Sequence, residues 1–97
     1  MKETKHYTVG SNRGKTRIWI QGQILKKFGW EKSTPFNVTI GDGVITYSKS
    51  KDGARKVAGD ENRPVIDTNS HAVGKTLGEA GTKVEVTFSR GKITITA

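Results

Sequence analysis

The stretch FNVTIGDGVITY, residues 36–47, decides the fold class of this chain. Apolar and polar side chains alternate through residues 36–40 and again after the turn, which is the two-residue period of half-buried β-strands. Between the two runs, Gly41, Asp42 and Gly43 provide the Asp-Gly pair that two-residue hairpin turns favour. The segment therefore predicts a β-hairpin with one buried face.

A second hairpin of the same kind follows about 48 residues later, where residues 84–95 read VEVTFSRGKITI around an Arg90-Gly91 turn. Identities recur at that shift also outside the hairpins, which favours an internal repeat over the alternative that any two hairpins share Val, Thr and Gly. The matched residues are Val9 with Val57, Ile18 with Ile66, Glu31 with Glu79, Thr34 with Thr82, Val38-Thr39 with Val86-Thr87, Gly43 with Gly91, and Ile45-Thr46 with Ile93-Thr94. A half of this size buries too little surface to fold alone. We predict one domain, residues 1–97, in which two repeats (about 1–49 and 50–97) share a core.

The rest of each repeat contains shorter signals. Ile18 and Ile20 should face inward from a strand that leaves Trp19 outward, and Trp30 should fill the core. The aromatic side chains Tyr7, Phe28, Phe36, Tyr47 and Phe88 are also expected in or near the core. The other predicted elements are strands over 6–9 and 17–20, a turn over 10–14, a helix over 23–28 ended by Gly29, a linker over 48–53, and a helix over 70–77 capped by Asn69 or Ser70.

Several of these segments together resemble SymE-like proteins and, more broadly, the AbrB and MazE swapped-hairpin superfamily. The resemblance is carried by YTVG (7–10), IWIQGQIL (18–25), FGW (28–30), VTI (38–40) and GVI (43–45), and more loosely by residues 70–78 and the closing hairpin. It implies a mainly β fold with short helices, in which β-hairpins interleave in a double layer. Such layers normally need two chains, so this chain would be an internal pseudo-dimer.

The resemblance also implies functions. AbrB-like members bind DNA through basic residues around the first two strands, and MazE-like members are antitoxins that bind DNA and a toxin. SymE-like members are described as toxins associated with RNA cleavage or nucleic-acid binding. The alternatives to a DNA-binding protein are therefore a SymE-like toxin or ribonuclease acting on RNA, and an antitoxin or inhibitor that binds a protein.

Charge points independently to a polyanion. Seventeen Lys and Arg oppose nine Asp and Glu, for a formal net charge of +8. A basic domain of this size gains affinity for phosphate backbones by releasing counterions, although an acidic protein or a membrane surface would also attract it. Cysteine is absent, which excludes disulfides, thiolate metal sites and a thiol nucleophile. With no long apolar run, we expect a soluble, cytoplasmic protein of a bacterium or a phage, with no membrane partner.

The expected nucleic-acid-binding residues are basic side chains from both repeats, one flexible lysine and one tryptophan. Lys15 and Arg63 fall on equivalent positions, so a pseudo-twofold axis would bring the two sets to one edge of the domain. Trp19 either stacks on an unpaired base or packs beneath a helix or between the layers. The predicted set is Arg13, Lys15, Arg17, Arg55, Lys56, Arg63, Trp19 and Lys5.

No catalytic, metal or cofactor site is predicted. His6 and His71 lack the spacing of metal ligands, and the acidic residues Asp60, Glu61 and Asp67 fit a solvated turn better than a nuclease metal site. We therefore expect a non-enzymatic protein, a monomeric pseudo-dimer or a homodimer. Its ligand would be double-stranded DNA, with RNA as the alternative, and its role transcription regulation or DNA coating.

Overall fold

Strands dominate the computed structural model, which describes residues 2–97. The strands and helices, in chain order, are β1 (Glu3–Thr8), β2 (Gly10–Asn12), β3 (Lys15–Gln21), α1 (Gln23–Lys27), β4 (Pro35–Gly41), β5 (Val44–Lys49), β6 (Arg55–Lys56), β7 (Ala58–Gly59), β8 (Pro64–Asn69), α2 (His71–Leu77), β9 (Lys83–Phe88) and β10 (Lys92–Thr96). The predicted mainly β class with short helices is confirmed.

The strands form two antiparallel sheets. The larger has six strands in the order β1-β9-β10-β5-β4-β6, and the smaller has four in the order β2-β3-β8-β7. Both predicted hairpins lie side by side in the larger sheet, where β5 pairs with β10. The predicted hairpin over residues 36–47 is confirmed, with Asp42 and Gly43 at positive φ in its turn.

Strand pairing recurs at the 48-residue shift. β1 of the first repeat pairs with β9 of the second, and β6 of the second pairs with β4 of the first. The registers agree as well. Tyr7 pairs with Val84, and the residues at a distance of 48 from these two, Arg55 and Phe36, pair with each other. In the β3–β8 ladder the central pair is Trp19 and Asp67, which are themselves 48 residues apart. An approximate twofold axis between the repeats would produce this pattern.

The core lies between the two sheets and draws on both repeats. Ile18 and Ile20 are buried from β3, as predicted, and Ile45, Ile93 and Ile95 meet them from the larger sheet. Trp30 is fully buried, and its indole Nε1 donates a hydrogen bond to the Ser89 carbonyl oxygen at 2.8 Å. The aromatic residues expected in the core are buried, except Tyr7, which packs against it half-buried.

Both predicted helices are present, and local hydrogen bonds fix their ends. At the end of α1, Gly29 has a φ of 76°. Its N–H donates a hydrogen bond to the Lys26 carbonyl oxygen, and the Trp30 N–H donates one to the Leu25 carbonyl oxygen. This is the pattern of a Schellman cap, which a glycine adopts without strain. At the start of α2, the Ser70 hydroxyl accepts from the Ala72 N–H at 3.0 Å.

Two predicted loops are shorter than expected. Residues 10–12 form β2, and only Arg13 and Gly14 make the turn, both at positive φ. Ser48 and Lys49 continue β5 instead of starting a linker, since Ser48 lies between Asn37 and Lys92 in the sheet. Polar residues mislead at these positions because a strand with one solvated face accepts them there.

The solvent-facing side of the larger sheet carries a row of threonines. Adjacent strands align them in register, and the Thr4 and Thr87 hydroxyls lie 3.1 Å apart. The row consists of Thr4, Thr87, Thr94, Thr46 and Thr39. Charged side chains of the same strands, Lys83, Glu85 and Lys92, project on this side as well.

A close contact between α2 and β3 predicts the cost of a methyl group at Gly74. The Gly74 N–H donates to Thr16 Oγ1 at 2.7 Å, and a Cβ at Gly74 would lie 2.9 Å from Thr16 Cγ2. Overpacking costs about 1–3 kcal/mol, against a helix-propensity gain of about 1 kcal/mol. Gly74→Ala should lower the free energy of unfolding in urea by about 1 kcal/mol. In Gly41→Ala, where the Cβ meets nothing within 4 Å, the change should stay within about 0.5 kcal/mol. Equal stability of the two variants would contradict the contact.

Buried Tyr47 predicts a loss of stability at high pH. Burial raises the pKa of Tyr47 to about 12, even though its hydroxyl pairs with that of Thr68. The unfolded chain ionises tyrosine near its ordinary pKa of about 10, so the free energy of unfolding should fall between those values by about 1.4 kcal/mol per pH unit from this group. Tyr47→Phe should remove that part of the slope in urea titrations. Parallel pH profiles for the two proteins would contradict the prediction.

Candidate nucleic-acid interface

The smaller sheet turns one face to solvent. Along β3, buried Ile18 and Ile20 alternate with side chains on the opposite side, and β8 places Asp67 and Asn69 beside them. We call this side the outer face. It comprises Lys15, Arg17, Trp19, Asp67 and Asn69, with Arg13 in the β2–β3 turn and Arg63 just before β8 at its margins.

At the centre of the outer face, Arg17 holds a fixed position between two partners. Its Nε and Nη2 atoms donate to the two carboxylate oxygens of Asp67, at 2.9 and 3.1 Å. Its Cζ lies 4.3 Å from the centroid of the Trp19 ring, close enough for a cation–π contact. Both ion-pair side chains are about 30% exposed, so solvent weakens the pair. Because the carboxylate neutralises Arg17, this residue adds more order than net positive charge.

Trp19 is exposed. It keeps 41% of its accessible surface, and Asp67 faces it directly in the neighbouring strand. The alternative in which this side chain packs beneath a helix or between the layers is wrong, because Ile18 and Ile20 occupy the inward positions of β3. An aromatic ring with one free face, carried on a rigid strand, can stack on a planar ligand.

Positive charge lies at both ends of the outer face. Lys15 and Arg63 each stand four residues from the central Trp19–Asp67 pair, in opposite directions along antiparallel strands. At about 3.3 Å per residue they lie roughly 26 Å apart. Both are exposed, and neither forms an ion pair within residues 2–97. Two cations this far apart would contact different phosphates.

The two repeats do not contribute equally. The first repeat has Arg13 in its turn, whereas the second has Glu61 at the equivalent position. Beside it, the Asp60 carboxylate accepts the backbone N–H groups of Asn62 and Arg63, at 2.9 and 2.7 Å. The acidic residues thus build the second turn, and the positive potential is strongest around Arg13 and Lys15.

Three predicted residues lie in the other sheet. Arg55 and Lys56 form β6 at one edge of the larger sheet, and Lys5 lies in β1 at the opposite edge. Arg55 faces Phe36, close enough to Tyr47 to influence its pKa. The smaller sheet and its margins therefore carry Arg13, Lys15, Arg17, Trp19 and Arg63, and the larger sheet carries Lys5, Arg55 and Lys56. The two basic sets do not meet at one edge of the domain as expected from the sequence, because Lys15 and Arg63 lie at opposite ends of the β3–β8 ladder.

Sequence reasoning missed the role of Asp67 as the partner of Arg17. The 48-residue shift contained the signal, because Trp19 and the residue at that spacing, Asp67, pair at the centre of the β3–β8 ladder. Asp67 is 48 residues after Trp19, and this places it beside the β3 residues that project outward. A carboxylate in that position neutralises the nearest cation.

Other kinds of site receive no support from the described residues. Within residues 2–97, no three side chains of His, Asp or Glu gather as a metal ion would require. Neither α1 nor α2 is long and apolar enough to cross a membrane, and the same holds for every helix in the described part of the chain.

Comparison with known proteins gives no match for this chain, whether with protein-family models, curated proteins or solved structures. Functional inference therefore depends on the charges, the exposed aromatic ring and the strand geometry described above.

Proposed function

We propose that the protein binds nucleic acid, specifically double-stranded DNA, through the outer face. The observation that carries the proposal is the placement of Arg13, Lys15 and Arg63 around an exposed sheet face. These three cations have no carboxylate partner within residues 2–97, in a chain with a formal net charge of +8. Phosphates bound there would release counterions, which is the main source of affinity in such complexes.

We also propose that the two repeats form an AbrB-like pseudo-dimer of interleaved hairpins. The recurring registers support this, because each repeat supplies one strand to the hairpin of the other. The proposal suits duplex DNA, since its two backbones are themselves related by twofold axes. Lys15 would contact one backbone segment and Arg63 another.

The proposed mode of binding is backbone neutralisation with limited base readout. The β3–β8 centre offers few groups that could read base edges, and one of them, Asp67, is an anion already paired with Arg17. Because this pair has no net charge, the phosphates would be bound by the cations at the ends of the outer face. Such binding fits a transcription regulator or a protein that coats DNA.

Salt dependence tests the proposal. Lys15→Gln and Arg63→Gln should each weaken duplex binding and make the slope of log K against log salt shallower by about 0.9, because each loses one phosphate contact. Fluorescence anisotropy with a labelled duplex at several salt concentrations measures both effects. Lys83→Gln is the matched control, since Lys83 is exposed on the threonine side of the larger sheet. Equal losses in all three variants would reject the outer face as the interface.

A second candidate is the binding of single strands, and the exposure of Trp19 favours it. Arg17 lies over the indole ring, and the ring keeps 41% of its surface exposed, where a base could stack. Stacking of this kind contributes about 1–3 kcal/mol per base.

Trp19 emission separates the two candidates. With duplex DNA we expect Trp19 to be shielded from acrylamide, and Trp19→Ala to weaken binding less than Lys15→Gln does. Trp30 is fully buried and should stay inaccessible to acrylamide with and without DNA. The emission of the Trp19→Phe variant comes from Trp30 alone and so gives the contribution of Trp19 by difference. Tighter binding to single-stranded DNA or RNA than to duplex, with a loss of about 1–3 kcal/mol of binding free energy in Trp19→Ala, would show that single strands are the ligand.

A further inference from the structure

A second cationic cluster lies where α1 ends against the β9–β10 turn. A cavity of about 380 Å³ opens there, and basic residues contribute much of its wall. It is lined by Lys2, Lys27, Phe28, Ser89, Arg90 and Gly91. Lys49, at the end of β5, lies beside this cavity and not in its wall, and its Nζ donates to the Phe28 carbonyl oxygen at 3.1 Å. We call Lys27, Lys49 and Arg90 the α1-end cluster.

Two of these cations converge above Gly29. A Cβ atom on Gly29 would lie 3.1 Å from Lys49 Nζ and 3.5 Å from Arg90 Nη1. Since both nitrogens are this close to the same Cβ position, Lys49 Nζ and Arg90 Nη1 are less than about 7 Å apart. Glycine at position 29 avoids the tight contact that a side chain would make with Lys49 Nζ.

The fold itself holds these like charges together. The Trp30 indole binds the Ser89 carbonyl at 2.8 Å, and the Lys49 N–H binds the Gly91 carbonyl at 3.1 Å, so the β9–β10 turn is fastened to the end of α1. Lys49 Nζ also lies 5.1 Å from the centroid of the Trp30 ring. Its position is therefore set by packing and hydrogen bonds.

Among the described residues, no carboxylate is in direct contact with Lys49 or Arg90. Neither forms an ion pair within residues 2–97, whereas Lys27 Nζ lies 2.5 Å from a Glu3 carboxylate oxygen. Burial and then the charge of Arg90 lower the pKa of Lys49, although Glu31 acts in the opposite direction. The pair thus carries positive charge beside the cavity, partly offset by the charge of Glu31.

The second repeat lacks this arrangement. The positions equivalent to Gly29, Lys49 and Arg90 are Leu77, Ala97 and Asp42. The cluster is therefore not a general consequence of the fold, because the equivalent end of α2 forms without it.

We propose that Arg90, in the wall of the cavity at the end of α1, binds a phosphate group there together with Lys49 beside it. A guanidinium offers paired donors to phosphate oxygens and an ammonium adds a point charge, so a dianion would neutralise both. Lys2 and Lys27 stand at the rim and add long-range attraction. The site is separate from the outer face and needs no nucleic acid there. Its ligand is inorganic phosphate, a nucleotide, or the phosphorylated end of a polynucleotide.

The test uses the Trp19→Phe protein, in which Trp30 is the remaining indole and reports on Lys49 above it. Inorganic phosphate, a nucleoside monophosphate and a 5′-phosphorylated oligonucleotide are titrated at low ionic strength, with sodium chloride and the 5′-hydroxyl oligonucleotide as blanks. We expect saturable changes in Trp30 emission with at least one phosphate. Arg90→Asp, which introduces the residue of the equivalent turn, should weaken binding by about tenfold or more.

Matched controls keep the proposal falsifiable. Lys75→Gln changes the position equivalent to Lys27 in the second repeat and should bind phosphate like the parent protein. Arg90 lies in an exposed turn, and thermal unfolding checks that Arg90→Asp keeps the fold. Unchanged binding in Arg90→Asp, or no saturable response to any of the three phosphates at millimolar concentration, overturns the proposal. Lys15→Gln should leave phosphate binding intact, so this site and the duplex interface fail separately.

Discussion

Strand pairing between the two halves of the chain, about residues 1–49 and 50–97, is the constraint on which the rest of the structure depends. In the larger sheet, β1 pairs with β9 and β6 pairs with β4. At the centre of the smaller sheet, β3 pairs with β8 and joins the two halves of the chain. Each half of the chain therefore forms some of its strand hydrogen bonds with the other half, and both contribute residues to one core. Folding as one unit follows, since half of these residues would leave open strand edges and an incomplete core.

The same pairing determines what lies at the surface. Because β3 and β8 are antiparallel and centred on Trp19 and Asp67, equivalent residues face opposite ends of one sheet. Lys15 and Arg63 thereby become the two basic ends of the outer face. The two ends differ in charge, because Arg13 lies in the turn at one end and Glu61 in the turn at the other. Neither property follows from the net charge alone.

Local patterns in the sequence were enough to predict most of the elements. Alternation and the Asp-Gly turn gave the hairpin over residues 36–47, and Ser70 marked the start of α2. Predictions were poorer where polar residues occupy solvated strand positions, as in β2 and at Ser48, because composition there does not separate strand from loop.

The candidate site was only partly predictable, for a different reason. Charge and alternation identified the basic residues and the outward direction of Trp19, but the partner of Arg17 depends on strand register across 50 residues. The α1-end cluster depends on contacts among α1, β5 and the β9–β10 turn, which no local pattern contains. Excluding Arg55 and Lys56 from the outer face likewise required knowing that β6 joins the larger sheet.

Mapping the contact surface by NMR is the most direct test of the central claim that the outer face binds duplex DNA. A duplex is titrated into isotope-labelled protein, and the amide shifts of both sheets are followed residue by residue. The account predicts that the largest changes fall on the β2–β3 turn, β3 and the start of β8, around Lys15, Trp19 and Arg63. Changes confined to the threonine side of the larger sheet, or none at all, would contradict it.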